Sequence, residues 1–391
     1  MFLELLTVIS IFASIITFKS IIIRINLFVF AYPIFIMFLM KQGTKMSGIM
    51  SIMFDRYDQY LDTAYYWSVL GYIVLILVIW PVRKKRLSIK RLDITEGSRF
   101  ILIILLLLLG IIVWPEAFGI YGYGRFNLLP GGAWSGLYTL VSSLLILSSK
   151  GLSSWSSRLH LALCLFIIFR GERVDNLVVV LALFTLSPTE GGIIKETNKV
   201  IRFAIIAFPF MIIVSLIRIV QILGLKTVLD NWLFYATATL YKQHTALDVT
   251  HVYLSAVAYF HEMPSKWYAL FNSVLSMISL NSNKLDYVFI TKEIIPNAGG
   301  GIFYSEGVLA FGVFGVIVYS AFFGIALRYG IKGESLFAKS IIVLLLLLCF
   351  RFQWYGGIYI MKLLWLLPIS ILIFRYFTWK AKKYEKSTGL S

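Results

Sequence analysis

Long apolar runs, separated by short polar or basic segments, set the pattern of this chain. A membrane-spanning helix needs about 20 mainly apolar residues. Runs at 2–18, 25–40, 65–81, 100–115, 133–149, 158–170, 175–190, 202–221, 302–328, 338–351 and 357–375 predict about eleven such helices, within a range of 10–12. The sixth and seventh also read as one broken re-entrant pair. The first run lacks a basic start and a small-residue cleavage site, which predicts a retained helix rather than a signal peptide. The expected fold is therefore all-α: a polytopic integral membrane protein, with residues 1–391 forming a single membrane domain.

Composition narrows the class. Hydrophobic residues make up 59% of the 391 positions and charged residues 14%, against about 25% charged in soluble domains. Mean hydropathy is +0.85. So much apolar surface excludes a water-soluble globular protein and a disordered chain. Nine prolines and two cysteines exclude a fibrous repeat and a disulfide scaffold. Cys164 and Cys349 both lie in apolar runs and read as small buried hydrophobes.

The net charge of +17 changes the picture less than it would in a soluble protein, where it would suggest nucleic acid. Membrane proteins concentrate Lys and Arg in cytoplasmic loops, and part of the excess also suits an acidic lipid substrate. Residues 82–99 carry Arg83, Lys84, Lys85, Arg86, Lys90, Arg91 and Arg99. The tail carries Arg375, Lys380, Lys382, Lys383 and Lys386. Both are expected in the cytoplasm, together with 19–24 and 191–202. Eleven helices then leave the N-terminus outside and the C-terminus inside.

The same assignment places 41–64, 116–132, 170–175 and 222–301 outside. The last is charge-balanced and too long for a plain connector. It contains apolar runs at 232–241 and 268–280, which predict short helices lying at the membrane surface or dipping into the bundle.

Candidate chemistry concentrates in those outer segments. His244, His251 and His261 fall in 222–301, with Asp248 and Glu262 near them. A histidine there could take a proton from a hydroxyl, although each also reads as an ordinary polar loop residue. Their spacing matches no compact metal motif, so no metal is expected. The segment RGERVD at 170–175 carries Arg170 and Arg173, whose planar donors suit phosphate oxygens; interfacial anchoring explains them equally. Arg218 and Arg351 are placed on the same side. The segment NAGGGIFYSEG at 297–307 joins Asn297, Gly299 and Gly300 to Tyr304 and Glu306. Its glycines permit close backbone approach, and Glu306 reads either as a helix-start acid or as a group facing a polar substrate. Asp55, Asp58 and Asp62 read as a solvated face, and the aromatic, glycine-rich stretch 116–132 as an interfacial belt. No nucleotide-binding loop, dinucleotide fingerprint, nucleophile elbow or metalloprotease signature appears.

The helix layout, the long outer segment in the second half and the stretch NAGGGIFYSEGVLAFGVFGVIVYSAFFG together resemble bacterial O-antigen or related surface-polysaccharide polymerases of the Wzy type. RGERVD is similar to that family's arginine-containing short outer loop. The resemblance implies an enzyme of the bacterial inner membrane that works at the periplasmic face without metal, nucleotide or other cofactor. Its substrates would be undecaprenyl-pyrophosphate-linked oligosaccharide repeat units, and undecaprenyl pyrophosphate would leave. A flippase and a chain-length regulator would be its partners. In that scheme Arg173, then Arg351, with Arg170 and Arg218, would stabilise the leaving group, and His251, His261 or Glu306 would take the acceptor proton. Tyr304, Asn297, Gly299 and Gly300 would line the substrate. An O-antigen ligase or a lipid-linked oligosaccharide flippase remains an alternative.

Overall fold

The computed structural model describes residues 2–42, 58–87, 92, 94–119, 131–149, 151–170, 174–186, 223–235, 245–263, 301–350 and 366–373, with isolated positions between 198 and 220 and between 363 and 379. The principal helices among them are α1 (Phe2–Ile16), α2 (Ile21–Lys41), α3 (Asp58–Ile79), α4 (Glu96–Val113), α5 (Gly131–Ser148) and α6 (Trp155–Phe169). They continue with α7 (Val174–Thr185), α8 (Leu225–Asp230), α9 (Thr245–Glu262), α10 (Ser305–Phe311), α11 (Val313–Lys332) and α12 (Leu336–Leu347).

The all-helical expectation holds, but the expected count of about eleven spanning helices does not. Among the described residues only Ile21–Lys41, Gln59–Val82, Glu96–Val113 and Val313–Lys332 are long and apolar enough to cross a membrane. Five further apolar helices, Phe2–Ile16, Trp134–Ser148, Trp155–Phe169, Asn176–Thr185 and Leu336–Leu347, are shorter. At 1.5 Å per residue, even 15 residues cover only about 22 Å of a hydrocarbon layer about 30 Å thick. Several apolar runs (158–170, 175–190 and 338–351) are themselves too short to span, and the helices built on them gain no more than about one turn from their polar flanks. Thr95, Ser154 and Ser335 each accept a hydrogen bond from the backbone N–H three residues on, starting α4, α6 and α12.

The outer surface shows what surrounds the bundle. In α4, Phe100, Ile101, Ile104, Leu105, Leu107 and Leu108 are exposed, and only 22% of its apolar window is buried. In α11, Phe314, Val318, Phe322, Ile325 and Tyr329 are exposed at helical spacing. Contiguous apolar faces of this kind are stable against lipid rather than water. The chain is a membrane-associated protein.

Helix directions follow from contacts between their ends. The N–H of Lys19 donates to the carbonyl of Arg83 at 2.8 Å, joining the ends of α1 and α3. The N–H of Leu92 meets the carbonyl of Leu147 at 2.9 Å, joining the approach to α4 with the end of α5. Trp155 Nε1 donates to Glu96 Oε2 at 2.7 Å, placing the starts of α4 and α6 together. Lys19, Arg24, Arg83–Arg86, Arg99, Arg158, Arg328, Lys332 and Lys339 therefore gather at one end, against Glu96 and Glu334 among the described acids. We call this the basic end.

At the opposite end the Lys41 ammonium bridges Glu4 and, at 2.7 Å, Asp62, and lies 4.9 Å from the ring centres of both Tyr65 and Tyr66. This clasp ties α1, α2 and α3. The Lys41 and Glu4 side chains are 11% and 14% exposed, and Asp62 is 70% exposed, so the Glu4 pair carries most of the effect. Lys41→Met removes the cation shared by Glu4 and Asp62 and should cost about 1–2 kcal/mol in a detergent unfolding series.

Two expectations about the second half need revision. The run 302–328 is not one helix: it breaks at Gly312 into α10 and α11. Within 222–301, a helix not signalled by the apolar runs 232–241 and 268–280 spans Thr245–Glu262. In α9 every residue from Val249 to Tyr259 is buried, which marks a helix inside the bundle. Of the two placements expected for helices in this segment, α9 takes the second.

Candidate functional site: a buried polar centre beneath a glycine hairpin

The site begins with a turn that only glycine makes easily. Gly312 adopts φ +55° and ψ −130°, strained for any residue with a Cβ. An added Cβ would also meet the Phe260 ring at 2.6 Å. The turn sends α11 back along α10. A Cβ on Gly315 would fall 2.0 Å from the carbonyl oxygen of Gly307, so the two backbones touch. Phe303 packs on Tyr319 at 5.6 Å and on Phe323 at 5.0 Å, both ring to ring, which fixes the pair as an antiparallel hairpin. Phe30 of α2 closes the aromatic cluster, 5.6 Å from Phe303 and 4.9 Å from Phe323.

This hairpin carries Tyr304, Ser305 and Glu306 into the bundle, all three buried. The Tyr304 ring meets Tyr253 of α9 edge-on at 5.2 Å. Gly71 of α3 makes room: a Cβ there would lie 2.9 Å from Ser320 Oγ and 3.7 Å from the Tyr304 ring. Tyr253 is buried facing Ser68 of α3, and the hydroxyls of Ser305 and Ser320 are buried with no hydrogen-bond partner. Such orphaned polar atoms are uncommon in native interiors. Tyr319 stands beside Glu306, its ring 2.8 Å from where a Gly307 Cβ would be. His251 is buried on α9, two residues before Tyr253. Its carbonyl accepts a hydrogen bond from Ser255 Oγ at 3.1 Å.

Depth can be read along α3. Gly71 lies thirteen residues beyond Asp58 in a helix of 22, or about 20 Å along its axis. The polar centre therefore sits near mid-bundle rather than at a face, deeper than the sequence expectation of an outer-face site.

α9 connects that centre to the end opposite the basic one. At its far end the exposed His261 stacks on Tyr60, ring centres 5.6 Å apart, and tilts over Trp67 at 5.8 Å. The Tyr60 hydroxyl donates to Glu262 Oε1 at 2.9 Å. Phe260 lies between Trp67, 6.0 Å away, and Gly312. An aromatic mouth thus stands directly over the hairpin turn.

The expected site residues divide accordingly. Tyr304, Glu306 and the helix bearing His251 come together, while His261 lies at the mouth. Arg170 ends α6 with its guanidinium 5.7 Å from the Phe166 ring centre. That helix packs mainly on α4 and α7 rather than on α9 or α10. Arg173, Arg218, Arg351, Asn297, Gly299, Gly300 and His244 lie outside the described residues, as does the Asp248 side chain. No group of three His, Cys, Asp or Glu placed to hold a metal occurs among the described residues.

Sequence reasoning passed over Gly71 and Ser320, which shape the centre from within apolar runs, and Tyr253 of α9. It also missed a second polar column in α5–α7, where the Tyr138 hydroxyl donates to Asn176 at 2.9 Å and Ser142 Oγ meets His160 Nε2 at 3.3 Å. The available signal was small polar residues recurring at helical spacing inside apolar stretches, as in Ser135, Thr139 and Ser142. Comparison with protein families, with curated proteins and with solved structures finds no match for this chain.

Proposed function

We propose that this protein is a membrane-embedded glycosyltransferase that joins polyprenyl-pyrophosphate-linked oligosaccharide repeat units, a surface-polysaccharide polymerase. The observation that carries the reading is the glycine hairpin that buries Glu306 beside Tyr319, on the side of the aromatic residues Tyr60, Trp67, Phe260 and His261. A carboxylate held away from bulk water can accept a proton from an acceptor sugar hydroxyl. The exposed apolar faces give a polyprenyl tail a surface to lie on. With the basic end in the cytoplasm, the mouth faces the periplasm, where such units are joined. In this account the sugar carbon of the growing chain is attacked by the acceptor hydroxyl, its bond to pyrophosphate breaks, and Glu306 receives the proton. Arg173, Arg218 and Arg351 would meet the pyrophosphate charge, while Arg170 stacks on Phe166 away from the centre. A chain-length regulator and a flippase would be partners.

The depth of the centre favours one second reading, transport of the lipid-linked unit, since carriers place their polar residues near the midplane. Purified protein in proteoliposomes, supplied with the lipid-linked units that accumulate in a strain lacking the gene, separates the two. Polymerisation predicts longer glycans and released undecaprenyl pyrophosphate. Units that change leaflet without growing would instead establish transport.

The same assay ranks the bases. His261→Phe keeps the stack on Tyr60 and should retain elongation within about threefold, because loss of a general base costs at least about a hundredfold. His251→Asn keeps a hydrogen-bonding side chain in a buried position. A hundredfold loss in it alone, at normal abundance, would move the proton acceptor from Glu306 to His251.

A further inference from the structure

At the basic end, far from the polar centre, a cavity of about 410 Å³ is lined by Glu96, Arg99, Ser153, Ser154, Trp155 and Arg158. It lies between the starts of α4 and α6, where a polar residue enters the interface rather than the hydrocarbon. Trp155 is 40% exposed on its rim, as expected of an aromatic at headgroup level. The Glu96 carboxylate is already neutralised: one oxygen pairs with Arg99, and the other accepts from the Trp155 indole. Arg158 is held by the chain itself, Nε donating to the Leu152 carbonyl and Nη2 to that of Ser153, each at 3.2 Å. Those two bonds orient the guanidinium and leave its charge uncompensated by any carboxylate in the lining. Arg99 is 17% exposed, and its Nε is buried without a hydrogen-bond partner.

The exposed run Arg83–Arg86 at the same end is different, since a solvated cationic loop needs nothing more than the cytoplasmic charge bias to explain it. A half-open cleft that sets the Arg99 and Arg158 guanidinium groups against the single Glu96 carboxylate keeps a net positive charge that suits an anion. Arginine's fork matches the tetrahedral oxygens of phosphate, and basic pockets between helices on this side of a bilayer suit anionic headgroups. We propose that this cavity binds a phosphate group, supplied by the headgroup of an anionic phospholipid in the leaflet at the basic end. The phosphate oxygens take the free donors of Arg99 and Arg158, and Trp155 packs beside the glycerol.

Native mass spectrometry of the purified full chain, titrated with phosphatidylglycerol against phosphatidylcholine, tests this. The variants are Arg158→Gln and Arg99→Gln/Arg158→Gln, with Arg86→Gln as a control for general charge. The site predicts phosphatidylglycerol retention weakened about tenfold in Arg158→Gln and further in the double variant, with Arg86→Gln unchanged; one charge-assisted hydrogen bond is worth about that factor. Arg158→Gln leaves the Glu96–Arg99–Trp155 network intact, so it remains informative if the double variant misfolds. Competition by inorganic phosphate separates the two sources of the group. Displacement of phosphatidylglycerol only by other anionic lipid assigns the lipid, and saturable displacement by inorganic phosphate assigns a soluble phosphate. Equal losses in Arg86→Gln and Arg158→Gln, or unchanged retention in the double variant, would overturn the site.

Discussion

Replacing Gly315 by alanine collapses the hairpin that holds Glu306. The new Cβ would sit 2.0 Å from the Gly307 carbonyl oxygen and 2.8 Å from its Cα. Both are backbone atoms, so no rotamer change relieves the contact, and α10 must separate from α11. Overpacking of a tight core costs about 1–3 kcal/mol where side chains can adjust, and a backbone clash of this depth exceeds that range. The expected result is loss of most folded protein from the membrane fraction. Gly71→Ala is the matched comparison: its Cβ meets Val316 Cγ1 at 2.7 Å and Ser320 Oγ at 2.9 Å, both side-chain atoms. It should cost about 1–2 kcal/mol and leave a folded protein with a displaced Ser320. Thermal unfolding of the two variants in detergent makes the comparison. Equal midpoints would mean that the two helix backbones do not touch as described.

Glu306→Gln tests chemistry rather than folding. Glutamine keeps the volume and the hydrogen-bonding capacity of the buried side chain but cannot take up a proton at neutral pH. Loss of a positioned general base lowers rates by about 10²–10⁴-fold. Chain elongation should fall by at least about a hundredfold while abundance and thermal stability stay near those of the parent. Glu306→Ala is less informative, because it also leaves a void and strands the groups around it.

The contrast between these variants shows which part of the molecule the sequence makes legible. Helical class and membrane association follow from the apolar runs themselves, which read directly as α2, α3 and α4 and, beyond the break at Gly312, in part as α11. The number of crossings does not follow, because runs such as 158–170 and 338–351 are short, and the helices built on them, Trp155–Phe169 and Leu336–Leu347, stay short of the hydrocarbon layer. In the stretch around Glu306 the glycines signal close approach. They do not reveal that Gly312 reverses the chain, because the reversal depends on Phe260, about fifty residues earlier, filling the space beside it. α9 was the least legible element. Its Thr250, His251 and Ser255 lower its hydropathy to that of a loop, yet it is buried throughout, since a helix wholly inside a bundle needs no apolar stripe facing lipid. The charge bias was legible as a set of loops. The enclosure of Arg99 and Arg158 beside Trp155 was not, because it depends on α4 and α6 starting side by side.

The proposed function of the buried Glu306 centre is to polymerise lipid-linked repeat units. Its most direct test is the surface-polysaccharide banding pattern of a strain lacking the gene, carrying either no copy, the parent gene or Glu306→Gln. The account predicts a single repeat unit without the gene, a full ladder with the parent copy, and a single unit again with Glu306→Gln at equal protein abundance. A full ladder from the Glu306→Gln copy would contradict it, as would a gene-deficient strain that shows either an unchanged ladder or no repeat unit at all.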